Sequence, residues 1–463
     1  MANLPDGRLV SWSAFLAEGF VPTPGNYTVS AVFNPITGEF FDSNNSAHDM
    51  FCAGVTLLED GTVLATGGNS TVRYSSRFNL DTLQWESTAP MNSPRWYGTN
   101  VTLGNGKVFS TFAQGAEEFG EMYDPVTDSW VNLPGTDMRT LSVEQAGVNA
   151  RSNDMGTGQW YAYMHVTPDG KVYHPGPTET MHLFTTEGQG DVEQLGPTPL
   201  DRKHIQYGTS TNFSPGKLLV TGGEDLTYIP NGATNEAMIV DLTTAKPTAR
   251  KIDSMHRTRA FHNAVVMANG EIIIIGGNGN GILFNDEDTR LDSEIFNPDT
   301  ETWRLAQPIS VPRNYHSVAL LMKDARVISA GGGLCGEGCY VNHLDAQIYT
   351  PGYLLNQDGS LADRPEITEL PDAANPGEDI QLQTDHEVSR FTMIRLAGTT
   401  HGINTDQRFM DIEFSANDNG SGYTLNLEDN PNILIPGIYW VFALNSEGVP
   451  SVGAILKIKV LEQ

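Results

Sequence analysis

The chain has 463 residues, among them 47 glycines and 26 prolines, a composition that suits many turns and few long helices. It carries 27 Lys and Arg residues against 56 Asp and Glu residues, so its net charge is −29. This excess argues against nucleic acid and anionic membrane surfaces as partners, because their phosphates need cationic side chains. No apolar run approaches the ~18 residues that a membrane span requires.

One sequence unit recurs through the first three quarters of the chain: an apolar strand, a turn, a β-branched strand, often Gly-Gly, and a later strand. The turns are Pro5-Asp6-Gly7, Glu59-Asp60-Gly61, Gly104-Asn105-Gly106, Pro168-Asp169-Gly170, Ser214-Pro215-Gly216, Ala268-Asn269-Gly270 and the degenerate Lys323-Asp324-Ala325. Their spacing scatters around the ~50 residues of a kelch repeat. We therefore predict an all-β fold whose residues 1–358 form a seven-bladed kelch-type β-propeller. A two-sheet sandwich, the alternative, would not repeat the whole pattern seven times.

The repeat stops after Pro351-Gly352-Tyr353. Short alternating strands separated by turns follow, for example at 380–383, 391–396 and 437–442. About seven such strands in some hundred residues are typical of an immunoglobulin-like β-sandwich. We predict this second domain for residues 359–463.

The three cysteines differ in their surroundings. Cys335 and Cys339 lie in a glycine-rich loop and are interpreted as a short disulfide, which indicates an oxidising compartment. Half of a metal knuckle is the alternative, although a four-thiolate site needs a second cysteine pair. Cys52 is the odd cysteine and is either inert, part of an intermolecular bridge, or used in chemistry. We expect the processed form of a secreted, extracellular protein.

Propeller geometry brings distant residues together. The innermost strands of all blades line one channel, so residues just before those strands converge on the axis. Tyr97, Tyr315 and His316 are predicted to occupy equivalent places in their blades, a few residues before the inner strand, and His401 lies in a polar loop of the second domain. Taken singly, each is as well explained by packing or by holding a loop. Together, two phenols and two imidazoles form a mixed N,O set that suits Cu(II), and Cys52 can reach the same channel.

Five segments, in chain order, resemble those of the copper radical oxidases, the galactose oxidase and glyoxal oxidase family. The first three resemble the segments with the cross-linking cysteine, the tyrosine bonded to it, and the axial tyrosine with its histidine. The segments are His48-Asp49-Met50-Phe51-Cys52, Arg95-Trp96-Tyr97, Tyr315-His316, Gly331–Gln347 and Thr400–Arg408.

The resemblance implies a copper ion held by Tyr97, Tyr315, His316 and His401. It implies a thioether between Cys52 and Tyr97 as a protein-derived radical cofactor, with Cys52, Tyr97 and Tyr315 as catalytic residues. Tyr315 would act as general base on a primary alcohol or an aldehyde hydrate. Dioxygen would be the electron acceptor and hydrogen peroxide the second product.

The family pattern is not complete. The tryptophan that stacks on the cross-linked tyrosine in galactose oxidase falls at Gly115 in this sequence, which leaves Trp96 and Phe112 as candidates for its role. Phe20 and Phe284 resemble aromatic residues that line the substrate pocket. The sugar-binding arginine of the family has no clearly aligned counterpart in this sequence.

We therefore expect simple primary alcohols and aldehydes as substrates, with galactose 6-oxidation as the alternative. A non-catalytic kelch scaffold and a copper-binding protein without a radical are the other readings. A monomer without nucleic-acid or membrane partners is expected.

Overall fold

The computed structural model describes residues 1–14, 27–69, 72–112, 119–136, 160–202, 204–224, 232–335, 339–417 and 422–461. Within these ranges the regular structure consists of 35 β-strands and one short 3₁₀ helix, Gly352–Leu354. None of the described helical structure has the length and apolar character needed to cross a membrane.

Seven antiparallel sheets follow one another along the chain, six of four strands and a last one of three. The first three sheets contain Ala2–Asn3 (β1), Leu9–Trp12 (β2), Ser30–Phe33 (β3), Phe40–Asp42 (β4); Gly54–Leu57 (β5), Val63–Thr66 (β6), Ser75–Asn79 (β7), Gln84–Ser87 (β8); and Thr99–Thr102 (β9), Val108–Thr111 (β10), Gly120–Asp124 (β11), Ser129–Leu133 (β12). The next four contain Tyr163–Val166 (β13), Val172–Gly176 (β14), Thr180–Thr185 (β15), Asp191–Pro197 (β16); Thr209–Ser214 (β17), Lys217–Thr221 (β18), Ala237–Asp241 (β19), Thr248–Ile252 (β20); Asn263–Val266 (β21), Ile272–Ile275 (β22), Ser293–Asn297 (β23), Thr302–Ala306 (β24); and Val318–Leu321 (β25), Val327–Ala330 (β26), Ala346–Tyr349 (β27).

The predicted turns join the first two strands of every sheet. The six turn glycines have φ between 66° and 95°, a region in which a side chain clashes with the backbone. Ala325 takes the same conformation in the last blade, at φ 67°, where its carbonyl accepts a hydrogen bond from the Tyr353 hydroxyl at 2.6 Å.

The sheets are arranged radially. The first strands of neighbouring sheets lie side by side in the series β5, β9, β13, β17, β21 and β25. The ring closes between the first and last sheets, where the Asn3 side-chain amide donates to the Leu321 carbonyl at 3.0 Å. This arrangement confirms the seven-bladed β-propeller.

The remaining strands form one curled sheet. They are Ile367–Glu369 (β28), Ala373–Ala374 (β29), Asp379–Thr384 (β30), Arg390–Arg395 (β31), Phe409–Ala416 (β32), Gly422–Asn426 (β33), Gly437–Leu444 (β34) and Ala454–Ile458 (β35). Their order is β28-β30-β33-β32-β31-β34-β35-β29. The first half of β32 pairs with β31 and its second half with β33. One strand therefore belongs to both faces of the curled sheet. The predicted immunoglobulin-like fold is confirmed.

A loop of this C-terminal unit enters the ring of inner strands. The Thr405 hydroxyl donates to the Asn100 carbonyl at 2.7 Å, and the Gln407 side-chain amide donates to the Val266 carbonyl at 3.0 Å. The loop, which contains His401, is thereby fixed to blades on two sides of the channel. The domain boundary predicted between residues 358 and 359 stays a prediction; it falls between the 3₁₀ helix and β28.

Candidate metal centre

Six residues occupy the same position in six blades, two residues before the first strand. All six have positive φ, from 44° to 74°, although none is glycine: Cys52, Tyr97, Tyr161, Tyr207, Phe261 and His316. Left-handed backbone is unfavourable for such residues and persists only where the surroundings impose it. Tyr97 and His316 are therefore equivalent in their blades. Tyr315 lies one residue before that position, which corrects the prediction that all three are equivalent.

Buried arginines restrain the segments that lead into the first strands of these blades. Arg95 is ion-paired with Glu121 at 3.0 Å, with both side chains fully buried, and also donates to the Phe112 carbonyl. Arg313 has the same place before Tyr315 and pairs with Asp345 at 2.9 Å. Each arginine is held by a carboxylate and by a backbone carbonyl, which restricts the backbone that follows it.

The structure brings the five predicted residues together at the channel axis. The Tyr97 and Tyr315 hydroxyls are hydrogen-bonded at 2.8 Å. The His316 and His401 ring centroids are 4.7 Å apart, and the Cys52 Sγ lies 3.6 Å from the His401 Nε2. These residues come from three blades and the C-terminal loop, so only the fold makes them neighbours.

Both imidazoles are oriented by a hydrogen bond at Nδ1. The His316 Nδ1 donates to the Gly333 carbonyl at 2.6 Å, and the His401 Nδ1 is 2.7 Å from the Thr400 hydroxyl. The His316 Nε2 is buried and has no partner among the described residues. A metal-ligating histidine has this arrangement, with one nitrogen fixed by the protein and the other free for the ion.

In the metal-free protein, burial keeps the side chains of the centre uncharged. It lowers the pKa of His316 to about 4 and that of His401 well below its usual value, so both imidazoles are unprotonated ligands at neutral pH. Burial also raises the pKa of the Tyr97 and Tyr315 phenols and of the Cys52 thiol. A bound cation offsets that cost by favouring the phenolates, so the donor set fits a copper ion.

Two aromatic residues that were not predicted from the sequence contact the centre. Trp160 stacks on Tyr97 with centroids 5.1 Å apart and ring planes 19° apart. Tyr161 stacks on His401 at 4.3 Å and packs edge-on against Tyr97. Trp96, a predicted candidate, is tilted by 44° against Tyr97 at 4.7 Å.

The other predicted aromatic residues are placed as follows. Phe112 stacks on His174 at 5.0 Å. Phe284 packs edge-on against Tyr315 at 5.3 Å and against His316 at 5.6 Å, so it forms one wall of the centre. Phe20 lies outside the described residues. Cys335 and Cys339 form the predicted disulfide, with their Cα atoms 6.0 Å apart.

Comparison with known proteins identifies the family. A family model described as "Galactose oxidase-like, Early set domain" matches residues 364–458. A galactose oxidase of Gibberella zeae is 32% identical over 98% of this chain and 67% of its own length. The chain belongs to the galactose oxidase family. It is a copper radical oxidase by that membership, and the alternative of a non-catalytic scaffold is not supported.

Two further proteins resemble the chain over most of their length. A solved structure titled "Novel fungal alcohol oxidase with catalytic diversity among the AA5 family, in complex with copper" is 32% identical, with a TM-score of 0.91 over 99% of this chain and 96% of that one. The aldehyde oxidase GLOX1 of Arabidopsis thaliana is 24% identical over 89% of this chain and 71% of its own. The predicted family, fold and oxidase class are confirmed.

Proposed function

We propose that Tyr97, Tyr315, His316 and His401 hold the copper ion of this oxidase. The convergence of the two phenols and two imidazoles supports the assignment, and the unpartnered Nε2 of His316 supports it independently. When bound, copper accepts an electron and lowers the pKa of a hydroxyl group that it coordinates. The remaining steps of the reaction are assigned to protein side chains.

Cys52 and Tyr97 form the radical cofactor through a thioether bond. Cys52 and Tyr97 lie in one buried cluster, and the Tyr97 backbone N–H donates to the Cys52 carbonyl at 3.2 Å. Bond formation removes one hydrogen from the thiol and one from the ring, and dioxygen takes up both as hydrogen peroxide. The sulfur extends the π-system of the ring and makes it easier to oxidise.

Trp160 shields this cofactor. Its indole covers one face of the Tyr97 ring, the role of the family tryptophan whose position Gly115 occupies in this sequence. A stacked electron-rich ring stabilises the electron-poor radical and keeps water from that face.

The reaction oxidises a primary alcohol to the aldehyde, or an aldehyde hydrate to the acid. Tyr315, as phenolate, takes the hydroxyl proton as general base. The Tyr97 radical takes a hydrogen atom from the carbinol carbon. In total the alcohol loses two electrons and two protons, and dioxygen receives them to give hydrogen peroxide.

The substrate class follows from the wall of the centre. Phe284 presents an aromatic edge beside Tyr315, which suits the apolar part of a simple alcohol better than a sugar ring with many hydroxyls. The fungal alcohol oxidase, at a TM-score of 0.91, supports this choice. Galactose 6-oxidation is the second candidate, favoured by the 32% identity to galactose oxidase.

The protein acts as a secreted monomer in this proposal. The disulfide between Cys335 and Cys339 supports an oxidising, extracellular setting. Residues 1–358 form the propeller domain with most of the copper ligands, and residues 359–463 form the domain that supplies His401.

The test is peroxide release by the copper-loaded protein with benzyl alcohol, glyoxal and galactose at equal concentration. We expect peroxide with benzyl alcohol and loss of copper and activity in His401→Ala. His386→Ala is the matched control, because His386 is 75% exposed in the same domain, and it should behave as wild type. No peroxide from any substrate would contradict the oxidase assignment, and a clear preference for galactose would favour the second candidate.

A further inference from the structure

A cavity of about 500 Å³ lies between the first and last propeller blades. One side is formed by blade 1, including Leu9 and Ala31, and the other by blade 7, including Val318 and Ala330. Val318 and Ala330 are cross-strand partners, so their side chains share the face of the blade that borders this space.

The inner end of the cavity reaches the metal centre. Its lining includes Cys52, His316 and His401, and both imidazoles keep part of their surface accessible. Phe284, which covers Tyr315 from another side, is not among the described lining residues. The cavity therefore reaches the centre on the side of Cys52, His316 and His401.

The outer end opens at the protein surface. Phe40 and Leu344, from opposite blades, line it and are 67% and 66% exposed. Between these ends the walls are made by buried residues such as Phe51 and Ile328. The space is thus a passage from solvent to the copper ligands.

The passage is mainly apolar along its length. Its apolar lining includes Leu9, Trp12, Phe33, Phe51, Val318, Ile328 and Leu334. Several polar groups in it already have partners: Ser30 with the Ser11 carbonyl at 2.9 Å, Thr400 with His401, Asp345 with Arg313 and His343 with Asp286. An alcohol entering here would give up much of its hydration to mainly apolar walls, whereas a small apolar molecule incurs no such cost.

We propose that this cavity is the route by which dioxygen reaches the metal centre, separate from the approach of the alcohol beside Phe284. The inference rests on the oxidase function, whose co-substrate is dioxygen. A gas path of its own lets dioxygen reach the reduced site without passing the alcohol side.

Ala330→Trp tests the route by filling its middle. We expect kcat/KM for dioxygen to fall about fivefold or more, with kcat/KM for benzyl alcohol and copper content unchanged. Ala416→Trp is the matched control, since Ala416 is an exposed residue of β32, and neither parameter should change. An unchanged kcat/KM for dioxygen in Ala330→Trp, or a fall confined to the alcohol, would overturn the proposal.

Xenon provides a second measurement on the wild-type protein, which decides the question if Ala330→Trp does not fold or bind copper. Xenon binds dry apolar cavities. In crystals of the copper-loaded enzyme under xenon pressure, we expect xenon between Val318 and Trp12. A cavity that contains only ordered water under those conditions would contradict the proposed route.

Discussion

Replacement of Asp406 by Asn tests how the C-terminal loop positions His401. The Asp406 carboxylate accepts four hydrogen bonds: from Arg395 at 2.7 Å, the Thr56 hydroxyl at 2.6 Å, and the Leu57 and Gly398 backbone N–H groups at 3.1 and 3.2 Å. Both ion-pair side chains are 1% exposed. This pair joins the loop to the inner strand of the second blade.

The expected cost follows from the buried charge that is left behind. Removing one partner of a buried ion pair costs about 3–5 kcal/mol. Arg395 also donates to the Leu57 and Pro436 carbonyls, so we expect the lower end, about 3 kcal/mol in the free energy of unfolding. His401 is five positions away in the same loop, so we also expect a lower copper affinity than in the wild type.

Asp411→Asn is the matched control. Asp411 also pairs with an arginine, Arg390, but its side chain is 57% exposed, so the change should cost less than about 1 kcal/mol. Urea unfolding followed by tryptophan fluorescence gives the stability, and competition with a copper chelator gives the affinity. Equal stability and equal copper affinity in the two variants would refute the reasoning.

Three further changes have defined outcomes. Cys52→Ser should keep copper but lose peroxide production in a coupled assay; full activity would show that the thioether is not needed. Trp160→Ala should raise the one-electron potential of the Tyr97 radical by roughly 40 mV, the equivalent of about 1 kcal/mol of stacking, and redox titration followed by electron paramagnetic resonance measures it. Burial lowers the pKa of His48 from 6.5 to about 4, so as the pH falls this imidazole is protonated in the unfolded state before it is protonated in the folded state. The free energy of unfolding of the copper-free protein should therefore fall as the pH drops from 6.5 to 4, by about 3 kcal/mol from this residue. Urea unfolding of His48→Gln should show a flatter pH dependence, and an unchanged slope would contradict the assignment.

The sequence determines the propeller and the predicted ligands because both depend on local signals. Each inner hairpin requires a residue with positive φ, and glycine at six of seven turns marks it. Tyr97 and His316 could be found because they lie just before such hairpins. Their meeting at one point follows from radial closure alone.

Trp160 and Tyr161 were missed although a signal exists. Trp160-Tyr161 precedes β13 as Trp96-Tyr97 precedes β9, two residues before the strand. Comparison by blade position would have identified them, whereas comparison along the family sequence led to Gly115. The cavity between the first and last blades has no such signal, because the packing of strands from opposite ends of the propeller sequence creates it.

The most direct test of the copper radical centre is peptide mapping after aerobic copper loading. Trypsin cleaves after Arg73 and Arg95, so Cys52 and Tyr97 fall in separate peptides. We predict one cross-linked species, lighter than the sum of the two peptides by two hydrogen atoms, in copper-loaded protein, and two free peptides without copper. A Cys52 thiol that remains open to alkylation in copper-loaded, actively oxidising protein would contradict the account.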